Sequence, residues 1–402
     1  MTDRSDRAVG LVVLLFVVMG VVNAVFTPFG SAILVDRGIS ATWLGVIGAS
    51  ISLLHMGLAG VWGHVADVIL GRGRALSLAL LIAAGLLAVY ALPLPLALVG
   101  FAYVVFGAVY GLLFPLQDAI AVNTLRDPAR QYGLVRGLQS GVFAVCAIGA
   151  GVPGRWWAWA RRGRLHRHGG AGDPGGLADP GRRSGALATQ RRGGAVREAL
   201  TMQPRLVRVL LAIGLANIGV FAGFTFLPLL VVRLGGGAGA IGVAVGVTAA
   251  VELVALPGVS RLIGRFGPRR VVAVGIALMA VIFGSFAVAP SPEWVIAAAV
   301  LYGFAWSAMW AGSVATIGVL LPATLQATGQ SLIALTTSGI AAFAANVGGG
   351  LLWASQGPIA VFGLSAAFAL AGSVIAWASL PDGASPMPEP GARGRARGAP
   401  EG

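Results

Sequence analysis

The chain alternates between long apolar runs and short polar breaks, and this pattern dominates its reading. A helix that crosses a bilayer takes about 20 mostly apolar residues. Runs of that kind predict spans near 9–34, 42–66, 75–96, 98–121, 134–153, 206–232, 239–260, 270–289, 294–321, 327–352 and 358–380. Proline interrupts some of them, at Pro28, Pro93 and Pro115. Membrane helices tolerate this because neighbouring helices satisfy the freed backbone groups. Gly107 and Gly111, one helical turn apart, predict a close contact between helices. The pattern predicts an all-α integral membrane protein with short turns.

Composition agrees. Of 402 residues, 57% are hydrophobic and 10% are charged, against about a quarter charged in soluble domains, which excludes a water-soluble enzyme. All 28 basic residues are arginine, and the net charge is +14. The excess is local, because residues 155–208 carry twelve arginines against Asp173, Asp179 and Glu198. The single cysteine, Cys146, excludes an internal disulfide and a cysteine-based metal site. The first apolar run is too long for a cleavable signal peptide and lacks a small-residue cleavage site.

Arginine bias orients the spans. The loops 67–74 (Asp67, Arg72, Arg74), 122–136 (Arg126, Arg130, Arg136) and 261–270 (Arg261, Arg265, Arg269, Arg270) are basic and are expected in the cytoplasm. The turns near 35–40, 94–97, 233–238 and 290–293 are expected outside. Starting inside, five spans leave the chain outside near residue 154, yet the 261–270 loop requires the span at 206 to be entered from inside. One crossing is missing, and it should lie in 155–200. That stretch is rich in arginine and glycine, and each arginine at a helix centre costs about 2.5–3.5 kcal/mol on insertion scales. Two explanations stand: a pair of compensating frameshifts through a helix, or a disordered basic cytoplasmic insert. Trp156, Trp157 and Trp159 among these arginines resemble a nucleic-acid patch, but a polytopic chain is expected to bind no nucleic acid. His166 and His168 are read as solvated loop residues, without the further ligands a metal needs. The expected organisation is 1–154 as one transmembrane half, 155–205 as a basic segment, 206–380 as a second half, and 381–402 as a disordered tail.

Ionisable groups inside membrane helices are costly and are functional candidates by default. Asp118 and Glu252 are two such groups. Asp118 stands near the cytoplasmic end of its span, at the depth where Arg136 enters the next, so the two are expected to pair, either for structure or for function. Glu252 lies well inside 239–260, with no basic residue in any predicted span to meet it. It is the candidate proton or substrate group, or else a protonated carboxyl bonded to a neighbouring helix. Asn23, Asn217, Asn346 and Gln330 either line a cavity or bridge helices. Tyr302, Trp306 and Trp310 form an aromatic stripe able to stack a flat solute or to pack in a core. His55 is read as an interhelical histidine. The chain has no phosphate-binding loop, nucleophile elbow or metalloprotease motif, so no enzyme activity and no cofactor are expected.

A basic turn follows the second helix of each half, GHVADVILGRGRAL at 63–76 and GVSRLIGRFGPRR at 258–270, as an internal repeat. The first of these resembles the major facilitator signature G-x-L-A-D-R-x-G-R-R. Gly63, Ala66, Asp67, Gly71, Arg72 and Arg74 match; Val65 and Val68 depart, and one extra residue precedes Gly71. A carboxylate at a helix end facing guanidinium groups can clamp one face of a transporter shut; the plainer reading is arginines that set topology. The segment PLQDAIAVNTLRDPARQYGLVRGLQSGVF at 115–143 resembles the phenylpropionate permease and nucleoside:proton symporter branch through Pro115, Asp118, Ala119, Ala121, Tyr132, Gly133, Arg136 and Ser140, with Gln139 where that branch has glycine. The resemblance implies two six-helix bundles, here with the sixth helix missing or frame-shifted, and a central cavity. It also implies a proton-coupled secondary transporter of a small organic solute, working by alternating access as a monomer in the inner cell membrane with both termini cytoplasmic. The alternatives are an efflux antiporter, to which AIGAGVPG at 147–154 is faintly similar, and a membrane protein that transports nothing because it lacks helix 6.

Overall fold

The computed structural model describes residues 2–92, 94–125, 128–151 and 196–379. Its labelled helices are α1 (Thr2–Asp36), α2 (Ala41–His64), α3 (Arg72–Ala91), α4 (Leu96–Thr124), α5 (Pro128–Gly151), α6 (Arg205–Arg233), α7 (Ala238–Ala287), α8 (Pro292–Leu320), α9 (Ala323–Ala334), α10 (Ala342–Gln356) and α11 (Pro358–Ser379). Among the described residues, nine helical stretches are long and apolar enough to cross a membrane. One of them, α7, is two spans joined at Gly267, whose φ of 78° breaks the helix. The α9–α10 pair is one rod, joined by the π-helical stretch Leu335–Ala341. With α3, the spans follow the eleven apolar runs of the sequence. The chain is a multi-pass membrane protein.

Short turns start the helices cleanly. Ser40 accepts a hydrogen bond from the Trp43 amide at 3.3 Å, and Ser291 does the same for Trp294 at 3.4 Å with Pro292 in the first turn. The extra residue before Gly71 has a structural form: Val65–Ile69 is π-helical, and the Leu70 amide bonds the Val65 carbonyl at 2.9 Å. A π turn absorbs one residue more than an α turn, so the chain still reaches Gly71, at φ 78°, before α3 begins.

The two halves, α1–α5 and α6–α11, each have a core. Met19, Leu76, Phe106 and Leu113 fill the first, and Phe226, Phe283, Phe286 and Phe362 belong to the second. The halves meet along two seams, α2 against α10 and α5 against the first limb of α7. Small residues set both. On α5, an added Cβ at Gly151 would stand 2.7 Å from the Ala238 carbonyl oxygen, and one at Gly246 would stand 2.9 Å from that of Ala144. Gly242 would collide with the Ala147 carbonyl. On the other seam, Gly350 lies against the Gly45 backbone, 3.0 Å from its Cα, and Gly48 lies against Asn346.

These contacts loosen along the seam of α5 with α7. Toward the arginine-rich end, Gly141 and Gly137 meet only the side chain of Leu253, at 4.0 and 3.3 Å, and Gly133 meets nothing within 4 Å. On α2, an added Cβ at Gly57 would meet nothing within 4 Å, while the neighbouring Met56 packs on Gly339 of the second half. Along the α5–α7 seam the halves are closed at the end of the arginine-poor turns and splay toward the end of the basic loops. At the closed end a cavity of about 590 Å³ remains between them, lined from one half by Ala32, Asp36 and Ser40 and from the other by Leu229, Arg233 and Trp353.

Gly151 abuts Ala238, so it stands at the end where α6 finishes. Arg205, at the other end of the 29-residue α6, is about 43 Å away at a rise of 1.5 Å per residue. Gly151 and Arg205 therefore stand at opposite ends of the bundle. The basic string at 155–195, with the frameshift reading attached to it, lies outside the described residues, as does the tail from 380.

Candidate functional site

The Asp118–Arg136 pair is present. An Arg136 guanidinium nitrogen lies 3.4 Å from Asp118 Oδ1, and the two side chains keep 44% and 35% exposure. Two more groups fix Arg136. The same nitrogen donates to Gln139 Oε1 at 3.3 Å, and the guanidinium carbon sits 5.9 Å from the Phe114 ring centroid. Gln139 Oε1 also accepts from Gln117 Nε2 at 3.2 Å, and both glutamines are buried. Tyr132, edge-on to Phe16 with ring centroids 6.4 Å apart, donates to Asp118. Spacing explains the assembly: Tyr132, Arg136 and Gln139 share one face of α5, while Phe114, Gln117 and Asp118 share the facing side of α4.

Glu252 corrects one expectation, since a basic residue lies within electrostatic reach of it. Arg136 acts on it electrostatically from the opposite half, and the Trp306 indole donates to its carboxylate. Sequence reasoning put Arg136 at the mouth of a span and so did not count it inside the membrane. It stands eight residues into α5, about 12 Å along the helix. Two local features bring the groups together. Leu253 lies over Gly137, where an added Cβ would stand 3.3 Å from its side chain, so the chain neighbours Glu252 and Arg136 fall at the same level of the seam. Within the second half, an added Cβ on Gly303 would lie 2.5 Å from the Thr248 carbonyl, and Thr248 Oγ1 bonds the Ala299 carbonyl at 3.3 Å. That close approach of α7 and α8 places Glu252, one turn beyond Thr248, beside Trp306. Trp306 stacks on Trp310, with centroids 5.5 Å apart and planes at 14°, and Trp310 remains 39% exposed.

The other candidates are distributed. Asn23 accepts a hydrogen bond from Thr27 on its own helix, and Asn217 donates to the Ile213 carbonyl on its own. Asn346 is a bridge: Thr225 Oγ1 donates to its Oδ1 at 2.7 Å, joining α6 to α10 beside the α2 seam. Gln330 reaches the Val314 carbonyl of α8 at 3.5 Å. Tyr302 packs edge-on to Phe283 in the core of the second half. His55 is wedged against Gly111 of α4 and Ile51 against Gly107, with the backbone of Gly107 and Ala108 beside the imidazole. Gly107 and Gly111 are thus the close contact of α4 with α2. In the loop segment, Gly71 and Arg72 form the turn into α3, and Arg74 is exposed. The Gly63 and Asp67 side chains lie outside the described set. Gln117 and Gln139 were missed as site residues, although Gln139's departure from the branch pattern was a visible signal.

Residues 178–364, a little under half of the chain, match the family described as "MFS_1 like family". Solved structures match over nearly the whole chain. The nucleoside transporter NupG, in a variant form, superposes with a TM-score of 0.72 at 15% identity, covering 92% of this chain and 98% of that one. Over residues 178–364 the chain is similar to that family, and over nearly its whole length it has the fold of this transporter. A peptide transporter POT variant bound to sulfate gives a TM-score of 0.67 at 14% identity, covering 92% and 94%. A D-xylose–proton symporter gives 0.64 at 14% identity, covering 93% and 98%. No curated protein matches by sequence. At these identities the superpositions speak for the fold: two helical bundles of the major facilitator type, related by the repeated basic turn.

Proposed function

We propose that this major facilitator protein is a secondary active transporter that moves a small organic solute by alternating access, coupled to protons through the Asp118–Arg136–Glu252 group. The observation that carries the reading is the stoichiometry of that group. Arg136 pairs with Asp118 and lies within electrostatic reach of Glu252 in the other half, so two carboxylates balance against a single guanidinium and the group becomes neutral when one proton is added. Charge within the membrane is costly. One proton therefore favours bringing the halves together over the group, and its release favours parting them. The stacked Trp306 and Trp310 offer a flat solute a face beside the carboxylate. The solute occupies the space at the splayed end, which the arginine bias assigns to the cytoplasm, in an inner-membrane protein with both termini on that side.

Purified protein in proteoliposomes tests this, with nucleosides, organic acids and sugars as labelled solutes under an imposed pH gradient. A transported solute accumulates when the outside is acid, and Glu252→Gln abolishes the gradient-driven part while counterflow exchange continues. Full gradient-driven uptake by Glu252→Gln overturns the coupling role. Accumulation with the opposite gradient identifies an efflux antiporter instead.

A further inference from the structure

We infer that the turn at Gly267, with the exposed face of α11 beside it, is a binding site for an anionic phospholipid in the leaflet at the arginine-rich end. Arg261, Arg265, Arg269 and Arg270 are the only charged residues in 253–292, and no acidic residue stands between Glu293 and Asp382. The break at Gly267 and Pro268 gathers these arginines where the two limbs of α7 meet. Arg261, Arg265 and Arg270 are exposed. Aromatic rings hold two of the guanidinium groups in place: the Arg265 carbon is 5.2 Å from the Phe266 centroid, and that of Arg269 is 5.4 Å from Trp377 on α11. Half-exposed tryptophan beside arginine is the chemistry of a headgroup layer.

An acyl-chain track runs from this point into the membrane. Ser373 donates to the Ala273 carbonyl at 2.8 Å, which pins α11 to the second limb of α7 just inside the arginines. On either side of that bond, Val274 is 56% exposed and Val374 is 61% exposed. Leu370 and Val281 extend the exposed apolar strip deeper. Headgroup and chain contacts are continuous, as a lipid requires and a free anion does not. The exposed Arg261, Arg265 and Arg270, which pair with no acidic side chain among the described residues, favour a headgroup with a net negative charge over a zwitterionic one, whose ammonium the arginines repel.

Native mass spectrometry of the full-length, delipidated protein with dioleoyl phosphatidylglycerol or dioleoyl phosphatidylcholine tests the site. The expected result is retention of phosphatidylglycerol under activation that strips phosphatidylcholine. Near a membrane surface each basic residue contributes about fivefold in affinity, so R261Q/R265Q/R270Q weakens phosphatidylglycerol binding about a hundredfold. R261K/R265K/R270K keeps the preference, and size-exclusion profiles confirm that both variants remain folded. Equal retention of the two lipids overturns the proposal, as does a glutamine variant that binds like the parent. Displacement of phosphatidylglycerol by millimolar inorganic phosphate also overturns it, by showing a site for a free anion.

Discussion

Replacing Gly242 by alanine tests what seals the closed end. The added Cβ collides with the Ala147 carbonyl oxygen and lies 3.2 Å from the Gly151 Cα. Both obstacles are backbone, so no rotamer change relieves the clash, and α5 and α7 have to separate. Overpacking a tight contact costs about 1–3 kcal/mol, and the cost falls only on the arrangement in which this seam is shut. The population open at that end therefore rises about 5- to 150-fold. The readout is labelling of Ala32→Cys by a membrane-impermeant maleimide in a Cys146→Ser background. Ala32 lines the cavity at the closed end and is 5% exposed. Gly133→Ala is the control, because its added Cβ meets nothing within 4 Å. Both substitutions bring the same gain in helix propensity, up to about 1 kcal/mol, so the difference between them isolates the contact. Unchanged labelling in a folded Gly242→Ala protein refutes the reasoning, and so does an equal rise in the control.

Three further outcomes are expected. Gln139→Leu leaves Arg136 one acceptor short and Gln117 without its partner, a loss of about 1–3 kcal/mol in the folded protein, read as a lower thermal midpoint in detergent; an unchanged midpoint counts against the buried bridge. Thr225→Val removes the 2.7 Å bond to Asn346 and lowers stability by about 0.5–1.5 kcal/mol, whereas Thr225→Ser retains most of it. Alkaline phosphatase fused after Gly151 is active and fused after Gln203 is inactive, because the two positions lie at opposite ends of the bundle; equal activity contradicts that geometry.

The positions of the spans were legible because the bilayer imposes a length and a composition on each helix separately. The π turn at Val65–Ile69 was half legible, since an extra residue was visible before Gly71 but its geometry was not. The Asp118–Arg136 pair was within reach, because both residues sit near one short loop and a buried charge calls for a partner.

The sequence by itself determined the helices, their order, the repeated basic turn and the two costly carboxylates, all of which follow from local hydropathy and charge. The tertiary structure alone decided that Glu252 comes within electrostatic reach of Arg136 across 116 residues of chain. It also decided that Gly303 sets Trp306 beside that carboxylate, and that Gly151, Gly242 and Gly246 close one end while Gly133 leaves the other open. Glycine carries no side-chain signal in a sequence already rich in it. Which glycine matters depends on how closely another backbone passes, and only the packed bundle specifies that.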